Sequence, residues 1–280
     1  MKFKKRADIG KFLSIRVKDA VCDLYFPEII DDLVRFTSEF EDFRILSGGS
    51  NIIAGDVKKP VLYMGKAIST SDTDDVNEFL VRTFMPSWVS NTALLDYSVK
   101  NGLSGVEFLA GIPGNLGGAL YGNAAPAGYS WDDVATIIYI VQDGKIFPLV
   151  PEYSYRSLDN KPDGCFVIYG AELILTKDSP ENVRSRIKDF LAKRLDIKGP
   201  SAGSLFKNPK DGKAGYMLEQ CGMKGFSVGG AKLSENHANI IMNTGEGTFD
   251  DFCRLKDIAV ERVREKFGVT LEPEVQFWYD

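Results

Sequence analysis

Two glycine-rich stretches are where the residue types and spacing suggest chemistry. Arg44-Ile-Leu-Ser-Gly-Gly-Ser-Asn51 carries a short apolar run straight into Gly48, Gly49, Ser50 and Asn51. Successive backbone N–H groups in such a turn can converge on an anion, and glycine removes the Cβ that would hold a diphosphate away. A strand ending in a plain tight turn has the same residues, so both readings stand. The second stretch has glycine at 111, 114, 117, 118, 122 and 128, six in eighteen residues. Such a segment is costly to order. Either an irregular loop threads a crowded core, or a wall of backbone faces a large flat or phosphorylated cofactor. Neither stretch is a familiar nucleotide fingerprint. After Asn51 the chain runs through Gly55 and Pro60 toward another strand with no helix to open, unlike G-x-G-x-x-G, and no G-x-x-x-x-G-K-[ST] occurs.

Other chemistries have little material. His237 is the sole histidine and no G-x-S-x-G elbow is present, so a serine triad is poorly supplied. Cys22, Cys165, Cys221 and Cys253 are scattered without a C-x-x-C pair, which fits reduced thiols rather than a disulfide framework or a metal site. What remains is a bound cofactor working with arginine, serine and carboxylates.

The elements that must position these residues change along the chain. Apolar runs at 44–46, 61–64, 137–141, 146–149, 166–168 and 173–175, bounded by Gly, Pro, Asp or Asn, predict strands, with a hairpin at Asp143-Gly144. Helical spacing follows Pro27 through Ile29, Leu33, Phe36 and Phe40, and recurs more briefly at Leu94, Leu95, Tyr97 and Val99 before Gly102. From residue 178 the pattern becomes helix and glycine-rich loop. Ser179-Pro180 starts one helix; Thr248 with Asp251 starts another that stops at Gly268, and a last strand covers 274–279. The expected fold class is α+β, with a first domain over 1–177 in two lobes, 1–65 and 66–177, and a smaller second domain over 178–280.

Composition sets the outer limits. The chain has 280 residues, 44% hydrophobic and 26% charged, which suits one large or two ordinary folded domains. A net charge of −5 argues against a broad nucleic-acid surface. Asp8, Lys11, Arg16 and Asp19 interrupt any apolar stretch behind the basic start, and no run approaches a membrane span, so a cytoplasmic protein with no membrane partner is expected.

Taken in order, Leu46-Ser-Gly-Gly-Ser-Asn51, Val106-Glu-Phe-Leu-Ala-Gly-Ile-Pro-Gly114, Tyr155-Arg156-Ser157, Ala202-Gly-Ser-Leu-Phe-Lys-Asn-Pro209, His237-Ala-Asn239 and Leu271-Glu-Pro-Glu-Val275 resemble the UDP-N-acetylenolpyruvoylglucosamine reductase family across nearly the whole chain. The resemblance implies an FAD-binding domain of the vanillyl-alcohol-oxidase type and a substrate domain to which the C-terminal strand returns. It implies FAD, NADPH as hydride donor, a UDP-sugar substrate and a monomer or weak dimer. Arg156, Ser204 and Glu274 match the family's catalytic residues. Gly48, Gly49, Ser50, Asn51, Ile112, Gly114, Gly117 and Gly118 match its cofactor side; Tyr155, Lys207, Asn208 and His237 match its substrate contacts, and no metal is implied. The 48 residues from Arg156 to Ser204 resemble the shorter form lacking an extra substrate loop.

The sequence departs from that pattern where Lys18-Asp19 replace a Gly-Gly turn, where Arg82 to Trp88 replaces a Gly-Ala-Gly stretch, and where Gln276 replaces an arginine. These changes fall on what the resemblance makes the cofactor side, where bulk opposes the diphosphate or flavin ring. A related FAD oxidoreductase on another nucleotide sugar, and a non-catalytic UDP-sugar-binding homologue, are the alternatives. Turnover with the enolpyruvyl sugar separates the first, and absence of retained flavin marks the second.

Overall fold

Leu33 and Phe36, both fully buried, fix helix Ile30–Glu39 where the spacing after Pro27 predicts it. The computed structural model describes residues 1–65, 72–126 and 128–279. The expected lobe junction at 65/66 adjoins residues 66–71, which lie outside them. The described chain is α+β and divides into two units, each assembled from separate segments: 1–3, 24–48 and 60–195 in one, 4–23, 49–59 and 196–280 in the other.

In the first unit, Arg44–Leu46 and Val61–Tyr63 pair in parallel, and Leu24 and Tyr25 join on the other side of Val61–Tyr63. A larger antiparallel sheet runs in the order Lys145–Leu149, Ala135–Gln142, Val167–Lys177, Leu80–Pro86, Asp72–Asp75. The predicted hairpin is present, with Asp143 at φ +49° and Gly144 at +71°, as a two-residue turn between twisted strands requires. The two strands expected at 166–168 and 173–175 are one, Val167–Lys177, kept continuous by bulges. Strand Leu80–Pro86 is missing from the sequence-based expectation, although Val81, Thr83 and Met85 alternate inward.

Helix Pro180–Ala192 starts as predicted, the Ser179 side chain accepting the Asn182 N–H at 3.2 Å. Its packing places it in the first unit. It lies on helix Asn91–Asn101 and on the turn Glu107–Leu109, and Arg186 pairs with Glu107 at 2.8 Å. The changeover between units therefore follows this helix, at Leu195/Asp196, rather than preceding it at 177/178.

The second unit has an antiparallel sheet in the order Ser201–Ser204, Ile240–Asn243, Ala231–Leu233, Ser227–Val228. Helix Phe249–Phe267 carries the predicted reciprocal cap: Asp251 N–H donates to Thr248 Oγ1 at 3.4 Å, and Thr248 N–H donates to the Asp251 carboxylate at 3.1 Å. The C-terminal strand is Gln276–Trp278, pairing in parallel with Ile52–Ala54. Among the described residues no helix is long and apolar enough to cross a membrane, and no cluster of His, Cys, Asp or Glu is placed to hold a metal ion.

Candidate active site

The first unit gathers the glycine-rich stretch around bare backbone. A Cβ at Gly48 would lie 2.6 Å from the Gly114 Cα, and one at Gly117 2.9 Å from the Ser87 Cβ, so both glycines are demanded by close approach of protein to protein. Gly118 differs: a Cβ there would meet nothing within 4 Å. Ile112, half-buried, packs on the main core, and Asn91 braces the turn, its N–H donating to Gly114 O at 3.0 Å and its Nδ2 to Ile112 O at 3.1 Å. Among the described residues the buried Ser87 Oγ and Asn91 Oδ1 have no hydrogen-bond partner, which leaves polar capacity beside this strip of backbone. The segment expected to be loop contains one short helix, Leu116–Tyr121.

Arg156 stands on the tip of a hairpin made by Tyr153–Ser154 and Ser157–Leu158. Its φ of +60° is a conformation that glycine adopts more cheaply. The guanidinium packs over the exposed Tyr155 ring, 5.0 Å from its centroid. It donates to Ala125 O at 2.9 Å and Asn123 O at 3.5 Å, which brings Arg156 and Tyr155 to the end of the glycine-rich segment. Arg194 serves the same segment, donating to Ala110 O at 2.8 Å and Phe108 O at 2.9 Å. Burial, and then the charge of Arg156, hold its pKa below the ordinary arginine value.

In the second unit, Ser204 ends a strand in register with Ile240, just after Gly203 at φ +77°. Leu205 N–H donates to Asn239 O at 2.7 Å, and Asn239 returns both ends of its carboxamide to Phe206, accepting from its N–H at 3.0 Å and donating to its carbonyl at 2.8 Å. Leu205 O in turn accepts the Glu274 N–H at 2.8 Å. Ser204 and Glu274, 70 residues apart, are thus attached to one ladder. Asn51 closes it: its Nδ2 donates to Glu274 O at 3.0 Å, and its carbonyl accepts the Gln276 N–H at 3.0 Å. Gly49 belongs to the tight-turn reading, since at φ +59° a Cβ would stand 2.1 Å from Phe12 O. Ser50, between them, is half-buried.

The remaining expected substrate contacts also lie in this unit. The Lys207 ammonium pairs with Glu272 at 2.6 Å. Asn208 accepts the Ala214 N–H at 3.1 Å and so supports the start of helix Ala214–Gln220. His237 Nδ1 accepts the Asn239 N–H at 3.2 Å, so the neutral ring carries its proton on Nε2 and presents a donor there. Its ring edge lies where a Cβ at Gly215 would come within 2.7 Å.

Comparison with known proteins fits this geometry. Residues 194–278 match the C-terminal domain of UDP-N-acetylenolpyruvoylglucosamine reductase. The reductase of that name from Petrotoga mobilis is 34% identical, with 98% of this chain and 94% of the relative covered. The one from Nitrosococcus oceani is 36% identical over 94% of this chain and 90% of its own length. The chain belongs to the UDP-N-acetylenolpyruvoylglucosamine reductase family. A solved reductase structure from Thermus caldophilus superposes with a TM-score of 0.82 at 26% identity, covering all of both chains.

Residues at the positions where the sequence departs from the family pattern make contacts within their own units. Phe84 sits over Gly170, where a Cβ would be 2.4 Å from the ring, and packs against Tyr139 and Tyr169. Trp88 is buried in the cluster of Leu33, Phe36 and Phe43. Lys18 pairs with Glu246, and Asp19 accepts the Phe249 N–H at 2.9 Å, so both stay within the second unit at the start of its long helix. Gln276 accepts the Trp278 indole N–H at 3.2 Å. Two residues with no assigned role in the sequence reading, Asn123 and Asn239, prove to be buried hubs. Asn239 closes the His237-Ala-Asn239 motif and Asn123 follows Gly122 in the second glycine-rich stretch, yet nothing in their type distinguishes either from a surface asparagine.

Proposed function

We propose that this chain reduces UDP-N-acetylglucosamine enolpyruvate to UDP-N-acetylmuramate with NADPH, using FAD, as a step in peptidoglycan precursor synthesis in the cytoplasm. The observation that supports the reading is the ladder in which Leu205 O receives Glu274 N–H, which joins the backbone next to Ser204 to that of Glu274 from a distant part of the chain. The residues present fit FAD. Among the described residues, a Cβ at Gly118 would meet nothing within 4 Å, and the buried Ser87 Oγ and Asn91 Oδ1 have no hydrogen-bond partner. When bound, FAD supplies a two-electron carrier that takes hydride from NADPH and passes it to an electron-poor double bond.

The chain's own residues then have separate tasks. Hydride addition at the CH₂ carbon of the enolpyruvyl group leaves negative charge on the carbon beside the carboxylate. Arg156, a guanidinium that stays protonated, grips that carboxylate as charge flows into it. Ser204 gives its hydroxyl proton to the carbanionic carbon, which is basic enough to take it. Glu274 polarises the enolised carboxylate from the neighbouring rung. His237 Nε2–H and Tyr155 contact the nucleotide sugar. Lys207 holds the Glu272 side of the ladder, and Asn208 the start of the adjoining helix.

The test is the visible spectrum of the purified protein incubated with FAD and freed of excess cofactor. A flavin band bleached by NADPH, and restored anaerobically by the enolpyruvyl sugar, supports the reading; no retained flavin overturns it. Ser204→Ala is expected to keep the NADPH half-reaction and slow reoxidation about 10²–10⁴-fold. Unchanged reoxidation removes Ser204 as the proton donor.

A further inference from the structure

Asn123 stands two residues past the end of helix Leu116–Tyr121, buried, at φ +40°. Its carboxamide reaches two other segments. Nδ2 donates to Ser154 O at 3.0 Å and to Ser130 Oγ at 3.3 Å, and Oδ1 accepts the Trp131 N–H at 3.2 Å. Ser154 is the last residue of the strand that leads into the Tyr155-Arg156 tip. The main-chain oxygen of Asn123 is meanwhile one of the two carbonyls on which the Arg156 guanidinium rests. The same residue therefore fixes the root of the hairpin through its side chain and meets the end of the arginine through its backbone.

Both Asn123 and Arg156 hold left-handed φ values. Such a conformation is strained for arginine, less so for asparagine, and persists where the surroundings over-determine it, which at a functional site is a form of pre-organisation. The hairpin has two residues in each strand and is braced from within by Asp159, which accepts from Ser154 Oγ at 2.9 Å and donates its N–H to Glu152 O at 2.8 Å; the Asn123 side chain ties this braced unit to the end of the glycine-rich segment.

We propose that Asn123 is a positioning residue for Arg156: its Nδ2 bond to Ser154 O sets where the guanidinium meets the substrate carboxylate. The inference rests on the role given to Arg156 above. In this role Asn123 acts through the hairpin.

Anaerobic single-turnover kinetics on the FAD-loaded protein test it. Asn123→Gly suits the φ of +40° and removes the carboxamide. It is expected to retain flavin and to be reduced by NADPH at the parent rate, while reoxidation by the enolpyruvyl sugar slows on the order of 10–100-fold, the penalty of a misplaced group. In an Arg156→Ala background the same change is expected to alter reoxidation by less than about twofold, because the residue it acts through is already gone. An equal slowing in both backgrounds, or none in the parent, overturns the proposal. Should the glycine variant not fold, Asn123→Asp keeps the acceptor for Trp131 and deletes the donor to Ser154, with the same pattern expected. Arg156→Ala alone separates the two claims: if it leaves reoxidation unchanged, the role of Arg156 fails and the positioning role falls with it. A loss from Arg156→Ala with no loss from Asn123→Gly retires the positioning role alone.

Discussion

Two buried asparagines hold the two halves of the candidate chemistry in different ways. Asn239, in the second unit, returns both carboxamide atoms to the backbone of Phe206, next to strand pairing that already sets Ser204 against Ile240. Asn123, in the first, spreads its bonds over separate segments and holds a hairpin tip. The serine is thus held by backbone ladders that share its constraint, so its place is part of the stability of the unit. The arginine stands on the strained tip of a short hairpin that the Asn123 side chain ties to the glycine-rich segment. A proton donor must be held at one carbon, which a ladder does well; a long guanidinium that grips a carboxylate can be aimed from a short hairpin.

The largest effect expected from breaking this contrast falls on stability in the second unit. Asn239→Ala leaves the buried Phe206 N–H and C=O without partners, at about 1–3 kcal/mol for each stranded group. The denaturant midpoint should drop accordingly, well beyond the change given by Asn123→Gly. If the two variants shift the midpoint equally, the distinction between ladder and tether is lost.

The sequence carries this contrast unevenly. Helix Phe249–Phe267 was legible because its cap, apolar stripe and Gly268 stop are all local signals. So were helix Pro180–Ala192 and the hairpin at Asp143-Gly144. Strand Lys2–Asp8 was not, since six of its seven side chains are exposed and no alternation marks it. The ladder joining Asn51, Leu205 and Glu274 is a pairing between segments far apart in sequence, which periodicity does not report. The glycines were read as one class, but they divide. Gly48, Gly49 and Gly117 are required by the protein's own close approaches, and only a built backbone distinguishes them from Gly118, which faces open space. That the Phe84 ring packs over Gly170 is likewise hidden in the sequence, because Gly170 lies on the neighbouring strand.

A smaller effect separates strain from function at the tip of the hairpin. Arg156→Ala and Arg156→Gly both lose the guanidinium, and both are expected to lose reoxidation by substrate. Only glycine also relieves the φ of +60°. The glycine variant should therefore be more stable than the alanine variant by about 1 kcal/mol, less than the full left-handed penalty because glycine gains freedom when unfolded. Equal denaturation midpoints would mean that the turn relaxes when the arginine is gone, and that the guanidinium bonds to Asn123 and Ala125 impose the strain.

The smallest effect compares the carboxylates at which the main helix of each unit begins. In the first unit Asp178 accepts from Asn182, Arg186 and the Ser179 N–H, which lower its pKa from 3.8 to about 2. In the second, burial works against ionisation of Asp251, but the Thr248 and Gly230 N–H groups win and its pKa is lowered too. As pH falls, the unfolded chain takes up these protons before the folded one does. The stabilisation is therefore complete above about pH 4 and is lost as pH falls toward 2. The gap in urea midpoint between the parent and Asp178→Asn should accordingly be open at pH 5 and narrow toward pH 2, with Asp251→Asn behaving alike. A gap that stays constant across that range would show that Asp178 stabilises the helix start by shape and hydrogen bonding, independent of its charge.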